Sequence, residues 1–223
     1  MVKRGLLGEK TKKGFYQKVG SDIHALDYKT MEYKPQTKVR FDSLGEAKDI
    51  DDVRERIKTL VSRDDRAAQF AWKVLSGTLI YTANRIPEIA DDIGTVDQAM
   101  KWGLGWELGP FESWDALGVK KTSARIAQEG KPLPTLVTAL LQSGVENFYR
   151  REAGQQYAFD LWAAKQVEIP ARPGIIHLRA LHERQQVIAG NPGASLLDLG
   201  DGVACLQFHS KNNAVGPDIL QMM

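Results

Sequence analysis

Apolar residues recur at helical spacing through the middle of the chain. Val53, Ile57, Leu60 and Val61 fall at i, i+4, i+7 and i+8, one stripe of a helix opening near Asp51. Asp51 and Asp52 sit at its start, where the macrodipole favours acids. A second helix begins around Asp64 and Asp65 and runs through Phe70, Val74 and Ile80. It is almost uncharged from Val74 to Ala83, which predicts burial on more than one side. Pro87 should kink or restart it, since proline removes a donor and clashes with the preceding turn. Thr95 and Gln98 have the spacing of a capping box, opening a helix that Gly103 and Gly105 keep short. Pro110 suits the first turn of the next helix, whose Phe111, Trp114 and Leu117 share a face before Gly118 stops it. Further helices are expected over residues 123–128 and 134–148, the latter ending in Phe148, Tyr149, Arg150 and Arg151. Residues 51–150 therefore read as all-helical, with no alternation of period two.

The flanks are different. Residues 1–49 look irregular, with Gly5, Gly8 and Gly14 punctuating a lysine-rich stretch. Residues 155–194 hold three prolines and few long periodic runs, so they read as connector. Residues 195–199, 200–202 and 203–208 then spell strand, tight turn and strand. A lone two-stranded ribbon is marginal in water, so a chain ending just after one reads as cut short.

Composition narrows the functional classes. The chain has 223 residues, enough for one large or two small domains, and a formal charge of +2. Acids nearly match bases, which argues against a nucleic-acid partner. No apolar run approaches the roughly 18 residues that span a bilayer, and the N-terminus has no secretory h-region. One cysteine, Cys205, makes an internal disulfide impossible and points to a reducing, cytoplasmic compartment; its apolar neighbours suggest a buried structural thiol. His177 and His182 are five apart, roughly 140° around a helix, and do not converge on a metal; His24 and His209 lie in segments without a nearby acid. No catalytic or metal-binding residue is assigned.

Two blocks carry a resemblance. The line AMKWGLGWELGPFESWDALG, with YTANRIPEIADDIGTVDQ before it, resembles the C-terminal helical domain of 3-hydroxyacyl-CoA dehydrogenases; Asp97 to Gly118 match that family's pattern nearly position for position. The opening GLLGEKTKKGFYQ resembles the family's terminal "G-x-K-T-G-x-G-F-Y" turn through Gly8, Lys10, Thr11, Gly14, Phe15 and Tyr16, with Lys12 standing where the family has glycine. Because the turn precedes the "G-P-F-E" line here, the resemblance implies two tandem helical repeats, the first represented only by its end. The tail GDGVACLQFHSKNNAVG resembles the first hairpin of the enoyl-CoA hydratase (crotonase) fold, with Lys211, Asn213 and Ala214 on its "K-x-N-A" stretch.

The resemblance implies a mainly α fold, a helical dehydrogenase C-terminal domain of the 6-phosphogluconate-dehydrogenase-C-like type with a short β-hairpin near the C-terminus. It divides the chain into the end of a first repeat plus linker (1–50), the helical domain (51–154), a connector (155–194) and the truncated start of a crotonase-like domain (195–223). The implied parent is a dehydrogenase–hydratase fusion of fatty-acid β-oxidation that oxidises 3-hydroxyacyl-CoA with NAD. The NAD site and the catalytic histidine and glutamate belong to a Rossmann domain; this sequence has no G-x-G-x-x-G after a strand, and Gly103-Leu-Gly105 lies between helices. The expected partners are acyl-CoA, the Rossmann and crotonase domains and a second copy in a homodimer, with no nucleic acid and no membrane insertion. Candidate substrate residues are Asn84, from Ala83-Asn84-Arg85, and the turn Gly109, Pro110, Phe111 and Glu112; candidate CoA contacts are Lys10 and Lys211. Each has a structural alternative. Asn84 would cap or pack a helix, and Gly109 to Phe111 would set a backbone angle, start a helix and fill the core. Trp102, Trp106 and Trp114 are expected to pack around that turn. Alone, the chain is expected to be an inactive helical module; the alternative is a scaffold that dimerises or closes the acyl-CoA groove.

Overall fold

The computed structural model describes residues 1–37, 39–171 and 173–223. Helices and three small antiparallel sheets alternate along it. The first sheet, β1 (Tyr16–Val19), β2 (Asp22–Leu26) and β3 (Tyr33–Pro35), occupies part of the segment expected to be irregular. Its strands are mostly solvated on both faces, so they lack the alternation that betrays a half-buried strand.

The helical core follows. It comprises α1 (Asp42–Lys48), α2 (Val53–Ser62), α3 (Arg66–Ala83), α4 (Ile93–Leu104), α5 (Pro110–Leu117), α6 (Val119–Gln128) and α7 (Thr135–Gln142). Asp52 caps α2 by accepting from the amides of Arg54 and Glu55. Asp65 caps α3 at Ala68 N and reaches back to the amide and hydroxyl of Ser43, tying α1 to the start of α3. The expected cap at Thr95 is displaced: α4 begins at Ile93, and Asp92 is the cap, accepting from both the amide (2.7 Å) and hydroxyl (2.8 Å) of Thr95. Gly103 lies inside α4, which ends on Gly105 at φ 68°. Helix α3 stops at Ala83, before the cis peptide between Ile86 and Pro87.

The expected helix over 134–148 ends at Gln142. Phe148 is wholly buried, and residues 149–152 form β4 (Tyr149–Glu152), paired with β5 (Gln155–Asp160), which pairs with β6 (Lys165–Glu168). The break expected at 154 thus falls inside a hairpin, and the stretch expected to be connector supplies Ala158 and Phe159 to the helical core. The turn is closed by Ala153 (φ 48°) and Gly154 (φ 79°), the doubly left-handed geometry of a two-residue hairpin. The main core gathers Trp72, Leu79, Ile93, Phe111, Trp114, Ile126, Leu136, Leu140 and Phe148.

The third sheet contains β7 (Val187–Gly190), β8 (Ala194–Gly200) and β9 (Val203–Phe208), with β8 central. Helices α8 (Leu178–Glu183) and α9 (Pro217–Met222) pack on β8, burying Ala194, Leu197, Leu181 and Ile219. Arg151 bridges to Glu183 at 2.9 Å and Arg184 donates to Ala153 O at 3.0 Å, linking the β4–β5 hairpin to α8. Cys205 is half-buried in β9 opposite Leu197, rather than enclosed as expected. No helix of the described residues is long and apolar enough to cross a membrane.

Candidate functional site

The junction between α4 and α5 holds Asp97, a buried ionisable side chain. Helix α5 starts at Gly109-Pro110, and neither residue has a side chain able to cap its amides. Asp97, reaching across from α4 and only 2% exposed, does so instead. Its Oδ1 accepts from Phe111 N at 2.9 Å and its Oδ2 from Glu112 N at 3.0 Å. Tyr149 adds its hydroxyl to Oδ2 at 3.0 Å, so β4 is anchored to the same carboxylate. Glu112 folds back to accept from Gly109 N at 2.8 Å and meets Lys101 Nζ at 2.9 Å, a half-shielded ion pair between α4 and α5.

The glycine at 109 is a requirement of this clamp. A Cβ placed there would lie 2.2 Å from Asp97 Cγ and 2.4 Å from its Oδ1. Its φ is −70°, so the backbone angle itself is open to any residue and the constraint is space. Pro110 and Phe111 then pack inward, with Phe111 and Trp114 fully enclosed against Phe148 at ring separations of 5.0 and 5.7 Å. The indole N–H of Trp114 donates to Thr122 Oγ1 at 2.8 Å.

A second carboxylate completes the arrangement. Asp115 accepts from Phe148 N at 2.7 Å and Tyr149 N at 2.8 Å, catching the chain where it enters β4. Burial pushes Asp97 up to about 6 and Asp115 up to about 7, against the lowering effect of the amides that bond them. The Tyr149 hydroxyl is driven upward by burial and by the adjacent Asp97. Both oxygens of each carboxylate already accept hydrogen bonds from the protein. The cluster is built to hold helix to strand.

The other candidates lie apart from it. Asn84 is the exposed residue that ends α3, its amide donating to Ile80 O at 3.1 Å. Lys10 is exposed in the short 3-10 turn Glu9–Thr11. Lys211 belongs to the turn Lys211–Asn213, and its side chain lies outside the described residues. Lys12 is left-handed at φ 54°, the conformation a glycine would adopt without strain. A cavity of about 350 Å³ is lined by Gln69, Trp72, Lys73, Arg125, Glu129 and Lys131, and a narrow one of about 30 Å³ lies beside Ile86 and Ile93; neither is lined by a candidate residue. Of the three tryptophans expected at the turn only Trp114 is buried; Trp102 is 69% exposed and Trp106 36%. Among the described residues no group of three or more His, Cys, Asp or Glu converges as a metal site.

Asp97, Asp115 and Tyr149 were given no role by the sequence. The two acids stand inside the matched line, but their partners are 14 and more residues away, beyond any local spacing rule.

No family model and no solved structure matches the chain. Among curated proteins, the chain is 45% identical over all 223 residues to a Bacillus subtilis protein named "Probable 3-hydroxyacyl-CoA dehydrogenase", of which it covers 28%. Proteins of Rickettsia felis and Rickettsia prowazekii named "Putative fatty acid oxidation complex trifunctional enzyme" are 27% and 28% identical over 121 and 118 residues, half of this chain and 15% of theirs. The chain therefore spans little more than a quarter of the longest match's partner and less of the others.

Proposed function

We propose that this chain is a helical module of an NAD-dependent 3-hydroxyacyl-CoA dehydrogenase of fatty-acid β-oxidation, with a tandem-repeat and hydratase-fused parent. The observation that carries the reading is the identity along the whole chain to the Bacillus subtilis relative. The Rickettsia names add a multifunctional parent acting on acyl-CoA. The proposed location is cytoplasmic, a reading that rests on the single cysteine, Cys205.

The residues present do not fit the dinucleotide. All strand pairs among the described residues are antiparallel, and the sequence has no glycine-rich strand-to-helix turn of the phosphate-cradling kind. NAD and the acid–base pair are therefore assigned to parts of the parent beyond this chain, and no chemical step is routed through these residues. What the chain supplies is rigidity. The Gly109–Glu112 turn is immobilised by Asp97, Lys101 and Tyr149, so a substrate groove placed against it would meet a fixed wall.

The test is spectrophotometric. The isolated chain, incubated with 3-hydroxybutyryl-CoA and NAD, is expected to generate no NADH, while the full-length protein does. Turnover by the chain alone, or its absence from the full-length protein, would overturn the assignment.

A further inference from the structure

Helices α3 and α6 hold a second concentration of charge, apart from the Asp97 clamp. Gln69, Trp72, Lys73 and Ser76 fall at i, i+3, i+4 and i+7 of α3, one stripe along the helix. Arg125 and Glu129 stand one turn apart at the end of α6, and Gly130, at φ 72°, turns the chain so that Lys131 returns to Glu129 and Ser76. Between the two helices lies the cavity of about 350 Å³ lined by Gln69, Trp72, Lys73, Arg125, Glu129 and Lys131. Three cations and one carboxylate share it, so its wall carries an excess of positive charge. Among the described residues that line it Trp72 alone is aromatic, and the Arg125 guanidinium stacks on that ring at 4.1 Å from the centroid. An apolar ligand has little surface to meet there.

We propose that this cavity binds a phosphoryl group, carried by a phosphate ester or a pyrophosphate, with Lys73 as the cation that closes on it. Two of the three cations are already held. Arg125 is stacked on Trp72, donates from Nη1 to Val61 O at 3.2 Å and keeps Nε 3.5 Å from Glu129 Oε1, which leaves Nη2 uncommitted among the described residues. Lys131 Nζ donates to Glu129 Oε2 at 2.7 Å and to Ser76 Oγ at 3.4 Å, using two of its three protons. Glu129 is itself pinned, accepting from the Trp72 indole N–H at 2.5 Å. Ordering these side chains is therefore a cost met in folding and not on binding. Lys73 differs: it is exposed and makes no ion pair among the described residues. One carboxylate cannot neutralise three cations, and a phosphate dianion matches what remains, where a monocarboxylate would leave a charge uncompensated. Charges gathered round one cavity act together within a Debye length of about 10 Å at 0.1 M salt. The volume falls in the range of small-molecule sites, about 300–1,000 Å³, leaving room for the alcohol side of an ester. At the rim, Gln69 Nε2 donates to Asp64 O and Oδ1 at 3.1 Å, so that acid is engaged outside the lining. This inference is independent of the dehydrogenase reading.

Calorimetric titration of the 223-residue chain, with pyrophosphate, inorganic phosphate and adenosine 3′,5′-bisphosphate as separate probes, reads the site. One-to-one binding of pyrophosphate or the bisphosphate is expected, with Kd below about 1 mM in about 50 mM salt and weaker as salt rises. Lys73→Gln should weaken it about fivefold or more and leave the circular dichroism melt unchanged, because the replaced side chain is exposed. Glu129→Gln removes the competing charge while its amide oxygen still accepts from Trp72, and should tighten binding about threefold or more. Lys165→Gln, the same charge change on exposed β6, should alter neither. A bisphosphate that binds about tenfold tighter than pyrophosphate makes the occupant a nucleotide ester; the reverse order makes it a free pyrophosphate. No binding of any probe, or binding that Lys73→Gln leaves untouched or that Lys165→Gln weakens equally, overturns the proposal. A Glu129→Gln chain that melts like the parent and binds no tighter overturns it as well.

Discussion

Three glycines within seven residues should respond to alanine in three different ways. At Gly103, inside α4, φ is helical and nothing lies within 4 Å of a new Cβ, so alanine should raise stability by about 0.5–1 kcal/mol through helix propensity. At Gly105 the space is equally open but φ is 68°, and alanine should cost about 1–2 kcal/mol. At Gly109 the backbone is ordinary and the space is taken by Asp97. Alanine there must expel the Asp97 carboxylate, forfeiting two charge-assisted amide bonds and the Tyr149 contact, with Phe111 N left buried. Hydrogen bonds to charged groups contribute about 1.5–3 kcal/mol each and do not add fully, so the expected loss is about 3–5 kcal/mol. For a chain of this length that lowers Tm by roughly 6–20 °C. Urea denaturation followed by intrinsic tryptophan fluorescence measures all three. Asp97→Ala supplies the control: once the carboxylate is gone, Gly109→Ala should add little to its cost. A Gly109→Ala variant no worse than Gly105→Ala, or fully additive with Asp97→Ala, would refute the crowding argument.

Other expectations follow from the same clamp. Because burial holds the folded pKa of Asp97 near 6 and of Asp115 near 7, above their unfolded values, their contribution to stability is complete below about pH 4 and lost as pH rises through 6 to 7. For Asp97 the loss is about 3 kcal/mol at 1.36 kcal/mol per unit; carbon-13 titration of the carboxyls should find both midpoints above 5, and ordinary values near 4 would defeat the claim. Thr122→Val leaves the buried Trp114 indole N–H without its acceptor and should cost about 1–3 kcal/mol in chemical denaturation. Lys12→Gly relieves a left-handed lysine and should slow amide exchange in the turn around Gly8 and Gly14 severalfold, with no change in the global melt.

Much of the helical core was legible because its signals are local. Asp52 and Asp65 announce their helices from within one turn, and Phe111, Trp114 and Leu117 declare a buried face by spacing alone. The first two sheets escaped for two reasons. Strands β1 to β3 are solvated on both sides and have no pattern to show, and the β4–β5 turn places alanine, a poor left-handed residue, where asparagine or glycine would have signalled a hairpin. The role of the Gly109 turn was half legible. Its structural alternative, a helix start with Phe111 in the core, matches the geometry, yet the reason for the glycine is a side chain on another helix. Spacing rules see neighbours along the chain, and Asp97 becomes a neighbour only after folding.

The catch of residues 148 and 149 by Asp115 and Asp97 spans 33 to 52 positions of sequence, which sets an order on biosynthesis. A nascent chain that has released α4 and α5 but not Tyr149 holds two carboxylates aimed at amides and a hydroxyl that have not yet emerged. The helical core must wait for the strand that follows it, and premature termination anywhere before residue 149 yields a species with its latch open and its aromatic centre uncovered.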